Sequence, residues 1–158
     1  MGKGTTSHRG QNLVVAGVPI TEGRAKGTWL TMAYNADRVA VESGVDGEAW
    51  FTEIGDNTAT ITVVLTHASR FNGFFANLVK ANDASPTGLA FPIVYDELGG
   101  GTKYLAGKCK IAKVADGTWG DGAQVRAWTF VALDMSGAPE GLDDTPTISA
   151  SDALALLP

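Results

Sequence analysis

His8, His67 and Cys109 are the side chains of this 158-residue sequence best suited to acid–base, nucleophilic or soft-metal chemistry. A histidine acting as a general base needs a nucleophile within hydrogen-bond reach and an acid to orient it. His67 follows a Thr-rich run with no partner set by spacing, and it reads as a structural or interface histidine. His8 lies among Gly, Ser and Thr and reads as solvated. No ligand spacing links the two. A single cysteine excludes an internal disulfide framework and a Cys-rich zinc site, and Cys109 reads as a reduced, packed thiol.

Phosphate and acyl-transfer templates fail as well. Gly101 and Gly107-Lys108 are separated by five residues where a P-loop has four, and Cys109 stands where Ser or Thr would bind Mg²⁺. Gly117 to Gly122 lacks dinucleotide spacing and leads into no helix, so it reads as a hairpin turn. There is no Gly-x-Ser-x-Gly elbow. The acids Glu42, Asp46, Glu48, Glu53 and Asp56 crowd one predicted hairpin. They suit a solvated edge that resists aggregation or, without EF-hand spacing, a calcium site. Of the tryptophans, Trp29, Trp50 and Trp128 fall in predicted strands and suit core packing. Trp119 sits at a Gly-rich tip, as an exposed residue or an interface anchor. These residues predict no catalytic site, no cofactor and no metal centre.

The elements that carry them are mostly strands. The chain has 20 Gly and 16 Thr, and only 18% of residues are charged. Its length fits one domain with a sizeable core. The net charge of -5 is divided unevenly: residues 1–12 sum to +2 and residues 136–158 to -4. Nothing is basic enough to grip phosphates. No apolar run approaches the roughly 20 residues of a membrane span, and no apolar stretch follows Lys3 and Arg9 as in a secretory signal. The expectation is a cytoplasmic product without a membrane anchor.

Leu13 to Ile20 reads as two short strands around Gly17, and Glu22 to Gly27 as a polar loop. Trp29 to Tyr34 is a strand. Arg38 to Glu42 alternates, which predicts one buried and one wet face. Ser43 to Gly47 turns the chain into a strand over Trp50 to Ile54. Thr58 to Thr66 is the clearest strand, with Ala59, Ile61, Val63 and Leu65 on one face and threonines dominating the other. Phe71, Phe74, Phe75, Leu78 and Val79 form one helical stripe, with Ser69 as candidate N-cap and Lys80 near the C-terminal end. Asn72 stands where a capping box would place Glu or Gln. Phe91 to Tyr95, Tyr104 to Val114 and Ala123 to Leu133 complete the strands, and Asp96 to Gly101 is a turn. The expected fold is mainly β (α+β), an antiparallel sandwich or partial barrel with one flanking helix. Residues 1–11 form an N-terminal arm, 12–135 the β domain and 136–158 an acidic, Pro-containing extension.

Several segments carry a resemblance. Val14-Val15-Ala16-Gly17-Val18-Pro19-Ile20 with Gly23 and Gly27 looks like an opening strand–Gly–strand. Asp37-Arg38-Val39, then Ser43-Gly44-Val45-Asp46-Gly47-Glu48, is similar to a Gly-x-Asp-Gly-Glu hairpin. Thr58-Ala59-Thr60-Ile61-Thr62-Val63-Val64-Leu65 leads to Ser69 and the amphipathic helix, and Pro92-Ile93-Val94-Tyr95-Asp96 precedes the last two strands. Over about residues 12–135 this order resembles the tail tube proteins of contractile-tailed, myovirus-like phages.

The resemblance implies six-membered rings stacked into a tube within the virion tail, assembled in a bacterial host. It implies sheath, tape-measure and baseplate partners, and a lumen that conducts DNA without specific binding. A negative body would suit that passage, because like charge repels the polyanion. In this frame Arg38, Glu42 and Glu53 are expected to face the lumen. Gly44, Val45, Asp46, Gly47, Glu48, His67 and Trp119 are expected at subunit contacts, with the N-terminal arm between rings. Two alternatives stay open: a tube protein of a related contractile injection or secretion apparatus, and a monomeric β-sandwich carbohydrate-binding module.

Overall fold

The computed structural model describes residues 10–98, 100–140 and 154–156. Most of the predicted arm, His8 included, and most of the acidic extension lie outside the described residues. In chain order the elements are β1 (Gln11–Val15), β2 (Val18–Pro19), β3 (Leu30–Tyr34), β4 (Val39–Ser43), β5 (Ala49–Glu53), β6 (Ala59–Thr66), α1 (Phe71–Ala84), β7 (Phe91–Glu97), β8 (Lys103–Lys113), β9 (Val125–Ala132) and β10 (Met135–Ser136). The fold is mainly antiparallel β with a single helix among these elements, as expected from the sequence.

Eight strands form one sheet in the order β2-β1-β7-β8-β9-β6-β3, with β10 beside β8. β6 shows why it forms. Its residues alternate strictly, so Ala59, Ile61, Val63 and Leu65 are buried while the threonine side is only partly covered. It pairs along its whole length with β9, setting Ile61 against Phe130 and Val63 against Trp128. The sheet curls toward a partial barrel. Residues between β2 and β3 bridge the gap: Ala25 N–H donates to Val64 O at 3.1 Å, and Trp29 Nε1 donates to Gln11 Oε1 at 2.9 Å.

Helix α1 covers the open side of the core. The Phe75 ring meets Phe130 and Trp128 edge-on, with centroids 5.2 and 5.5 Å away. Asn72 does the polar work that a capping box would have done. Its Nδ2 donates to Thr66 O at 2.9 Å and Ser69 O at 3.1 Å, and its Oδ1 accepts from Trp128 Nε1 at 2.9 Å. Cys109 is a buried free thiol, and burial pushes it up to about 11.

Three local expectations are corrected. The helix N-cap is Arg70, not Ser69; Ser69 Oγ still accepts the Phe71 N–H at 3.2 Å, from one position further out. The helix runs on to Ala84, which leaves Lys80 outside its last turn. The turn expected from Asp96 starts later, because β7 continues through Glu97 in register with β1. After β9 the short strand β10 pairs with β8, and Met135 is buried.

Candidate assembly surfaces

The β4–β5 hairpin stands apart from the main sheet. The two strands pair only with each other, Val39 opposite Glu53 through Ser43 opposite Ala49. Its turn closes through Gly44 N–H to Glu48 O at 2.7 Å and Gly47 N–H to Gly44 O at 3.2 Å. Gly47 has φ +83°, a left-handed conformation that suits glycine. Ile54 N–H donates to Arg38 O at 2.8 Å and ties the root.

Self-pairing overturns the expectation of one buried face. Val41 is 67% exposed and Phe51, directly opposite, is 76% exposed. Trp50 is not a core residue either: it is 49% exposed on the other face, where its Nε1 donates to Glu42 Oε2 at 2.9 Å. The reason is topological. Alternation tells which side chains share a face, and here neither face has a sheet or helix to lie against. The cue was in the residues themselves, since apolar groups occupy both faces of the hairpin and leave no clean polar side.

The residues expected at a lumen separate by the same register. Glu42 shares its face with Ala40, Trp50 and Thr52, and alternation extends that face to Arg38. Glu53 pairs with Val39 on the opposite face. Of the acids at the hairpin, Asp56 lies at the root, where its Oδ1 accepts the Thr58 N–H at 2.9 Å and hydrogen bonding holds its carboxyl below the ordinary range. Among the described residues no three His, Cys, Asp or Glu side chains converge as a metal-holding group.

The other expected contact residues sit at the far end of β6. The hairpin root adjoins Ala59, whereas His67 follows Thr66 and joins the start of β9: its N–H donates to Gln124 O at 3.0 Å, and its Nδ1 accepts from Gln124 N at 3.2 Å. Trp119, 85% exposed, projects from the β8–β9 loop beside it. Arg126 lies over the Trp119 ring at 5.5 Å and donates to Thr118 Oγ1 at 3.2 Å. The structure thus gathers Gly44, Val45, Asp46, Gly47 and Glu48 with Glu42 in one hairpin. His67 and Trp119 belong to the opposite end of an eight-residue strand, about 25 Å away at the usual rise per residue.

No protein-family model and no curated protein matches this sequence. Its fold is similar to chains in three solved assemblies. One is the sheath/tube terminator of PVC, an extracellular contractile injection system, in the extended state: TM-score 0.55, 9% identity, 82% of this chain and 93% of the other covered. The second is the tube-terminating cap of the anti-feeding prophage: TM-score 0.54, 8% identity, 87% and 93% covered. The third is the PVC sheath–tube complex in the extended state: TM-score 0.50, 10% identity, 82% and 90% covered. At these identities the likeness is one of fold. Among the described residues no helix is long and apolar enough to cross a membrane.

Proposed function

We propose that this chain is a non-enzymatic structural subunit of a contractile tail or injection apparatus, and that it works as a ring-forming tube protein. The observation that carries this reading is the self-paired hairpin, with Val41 and Phe51 bare, at one end of the sheet and Trp119 bare at the other. A face of this kind is stable in water only at a cost, and a second copy can cover it. Two different surfaces at opposite ends make a heterologous contact, which stacks copies head to tail. The fold likeness to chains of sheath–tube, terminator and cap assemblies supports the same class.

In finer detail, six copies would form a ring with a lumen, and rings would stack around a tape-measure protein, within a sheath and on a baseplate, later passing DNA. Glu42 and Arg38, on one hairpin face, are the candidates for the lumen; Glu53 would face away from them. The named assemblies favour a second reading too, a ring that ends a tube in place of extending it. Negative-stain microscopy of purified protein separates the readings. Long tubes support the tube subunit, and discrete rings support a terminal ring. A monomer at high concentration sinks both and favours the binding-module alternative, with Trp119 as its platform.

A further inference from the structure

The outer face of β9 holds a groove of about 300 Å³, with Val125, Ala127 and Thr129 as its floor and Lys113, Asp116 and Thr118 as its rim. The floor residues alternate along one strand, so they share the side opposite Trp128 and Phe130, which α1 covers. Val125 and Ala127 are exposed. Lys113 stands in register with Thr129, across from it on β8. The rim beyond Asp116 belongs to the β8–β9 loop, which is tightly folded: the Trp119 ring lies so close to Gly117 that an added Cβ would come within 2.8 Å of Cη2.

The free hairpin carries a projection that matches this recess. Val41 and Phe51 lie directly opposite each other, and alternation puts Glu53 on the same face. An apolar cavity of about 150 Å³ holds a benzene ring, so the groove has room for the Phe51 ring and the Val41 side chain together. The charges agree as well. From Arg38 to Asp56 the chain carries five acids and one base, whereas β8 carries four lysines and no acid. Lys113 lies 4.0 Å from Asp116, a loose pair, and its ammonium has three donors, enough for a second carboxylate. The two surfaces do not meet within one chain, because Val125 pairs with Thr66, at the end of β6 remote from the hairpin root.

We infer that the β4–β5 hairpin of one copy seats Phe51 and Val41 in the Val125–Thr129 groove of a second copy, with Glu53 against Lys113. This rests on the assembly reading above and adds the surface that receives the hairpin. The contact is heterologous: each copy offers a hairpin at one end and a groove at the other, so successive contacts close into a ring or run on as a filament. The apolar seat supplies the affinity. The exposed Glu53–Lys113 pair is worth little by itself and fixes which way the hairpin lies. Glu42 and Trp50, on the other hairpin face, stay outside the seat.

The test uses the unaltered full chain and carbodiimide, which joins a carboxylate to an amine only where the two touch. Equal parts of ordinary and heavy-nitrogen protein are mixed, assembled, coupled and digested, and the peptides are read by mass spectrometry. A Glu53–Lys113 link should appear, and it should include pairs of mixed isotope. Ala127→Trp fills the groove at an exposed position. It should lower both that link and the assembled fraction in sedimentation at least about tenfold, as displacing a central anchor does, with circular dichroism and thermal melting as the check on folding. A Glu42–Lys113 link in place of Glu53–Lys113 overturns the seat, as do links confined to pairs of one isotope. Undiminished assembly of a folded Ala127→Trp chain also overturns it. Each of these leaves the assembly reading standing. Parent protein that stays monomeric at high concentration overturns both.

Discussion

Glu42 and Trp50 face each other directly across the β4–β5 hairpin, and the indole Nε1 donates to the Glu42 carboxylate at 2.9 Å. Behind the ring lies Gly44, where an added Cβ would come within 3.4 Å of Trp50 Cζ3. The indole therefore stands against its own turn. With no body strand beside it, the hairpin keeps its form through such cross-strand pairs, each worth about 0.2–1 kcal/mol. Its rigidity is local, and its apolar groups Val41 and Phe51 stay exposed.

The first prediction follows from that separation. Val41→Asp and Phe51→Ser remove exposed apolar groups that touch no core residue, so thermal melting should move by no more than about 2 °C. Assembly should suffer much more. Sedimentation or negative-stain microscopy should show tubes or rings lost in either variant. Unchanged assembly by both would take the hairpin out of the interface.

Asn72 carries the second. Asn72→Ala leaves the partly buried Trp128 Nε1 without its acceptor and frees the carbonyls of Thr66 and Ser69. Orphaning such groups costs about 1–3 kcal/mol. Urea denaturation should show a lower midpoint with an unchanged slope. Asn72→Asp should also destabilise, since a carboxylate accepts from Trp128 but cannot donate to two carbonyl oxygens. A midpoint equal to that of the parent would show that water replaces these bonds freely.

The parts of the fold that were legible in the sequence are those where a period reports contact with the core. Ala59, Ile61, Val63 and Leu65 at spacing two, and Phe71 and Phe75 at spacing four, are buried for that reason. The same logic misplaced Trp50, because periodicity does not say whether a face has anything to cover it. β10 was invisible: two residues contain no period, and only its pairing with β8 defines it. At the candidate surfaces, Trp119 at a glycine-rich tip was readable as exposed. The separation of Glu53 from Glu42 followed only from the register. Local spacing shows Asn72 only as a residue standing in place of a capping-box acid, whereas its real partner, Trp128, is 56 residues away and depends on tertiary structure.

The turn between β1 and β2 gives a third prediction. Val15 pairs with Val18, leaving the two-residue loop Ala16-Gly17. Ala16 has φ +52° and Gly17 φ +83°, so both take left-handed backbone, as a type I′ turn requires. Glycine takes this at no steric cost, but alanine pays about 1 kcal/mol or more for its Cβ. Ala16→Asn, giving the preferred Asn-Gly pair, should stabilise by about 0.5–1 kcal/mol, visible as a melting temperature higher by about 2–3 °C. A lower melting temperature would mean that packing of the Ala16 methyl outweighs its backbone strain.

The last prediction concerns alkaline pH. Burial raises the Cys109 thiol to about 11 from an ordinary 9.0, and burial also raises Tyr95 and Tyr104 above their ordinary 10.0. In the unfolded chain each group ionises earlier than in the folded one, so the unfolded state binds fewer protons and stability falls as pH rises. The Cys109 contribution is complete below pH 9 and is lost progressively between 9 and about 11. Keeping the folded thiol protonated across that range corresponds to a loss of about 2–3 kcal/mol. Cys109→Ala should flatten the decline of the urea midpoint between pH 9 and 11 and leave the tyrosine part, which begins above pH 10. Below pH 9 the folded chain should resist thiol reagents and react only once unfolded. Rapid labelling of the native protein at pH 8, or an alkaline slope unchanged by Cys109→Ala, would show that the thiolate forms in the folded state as easily as in water.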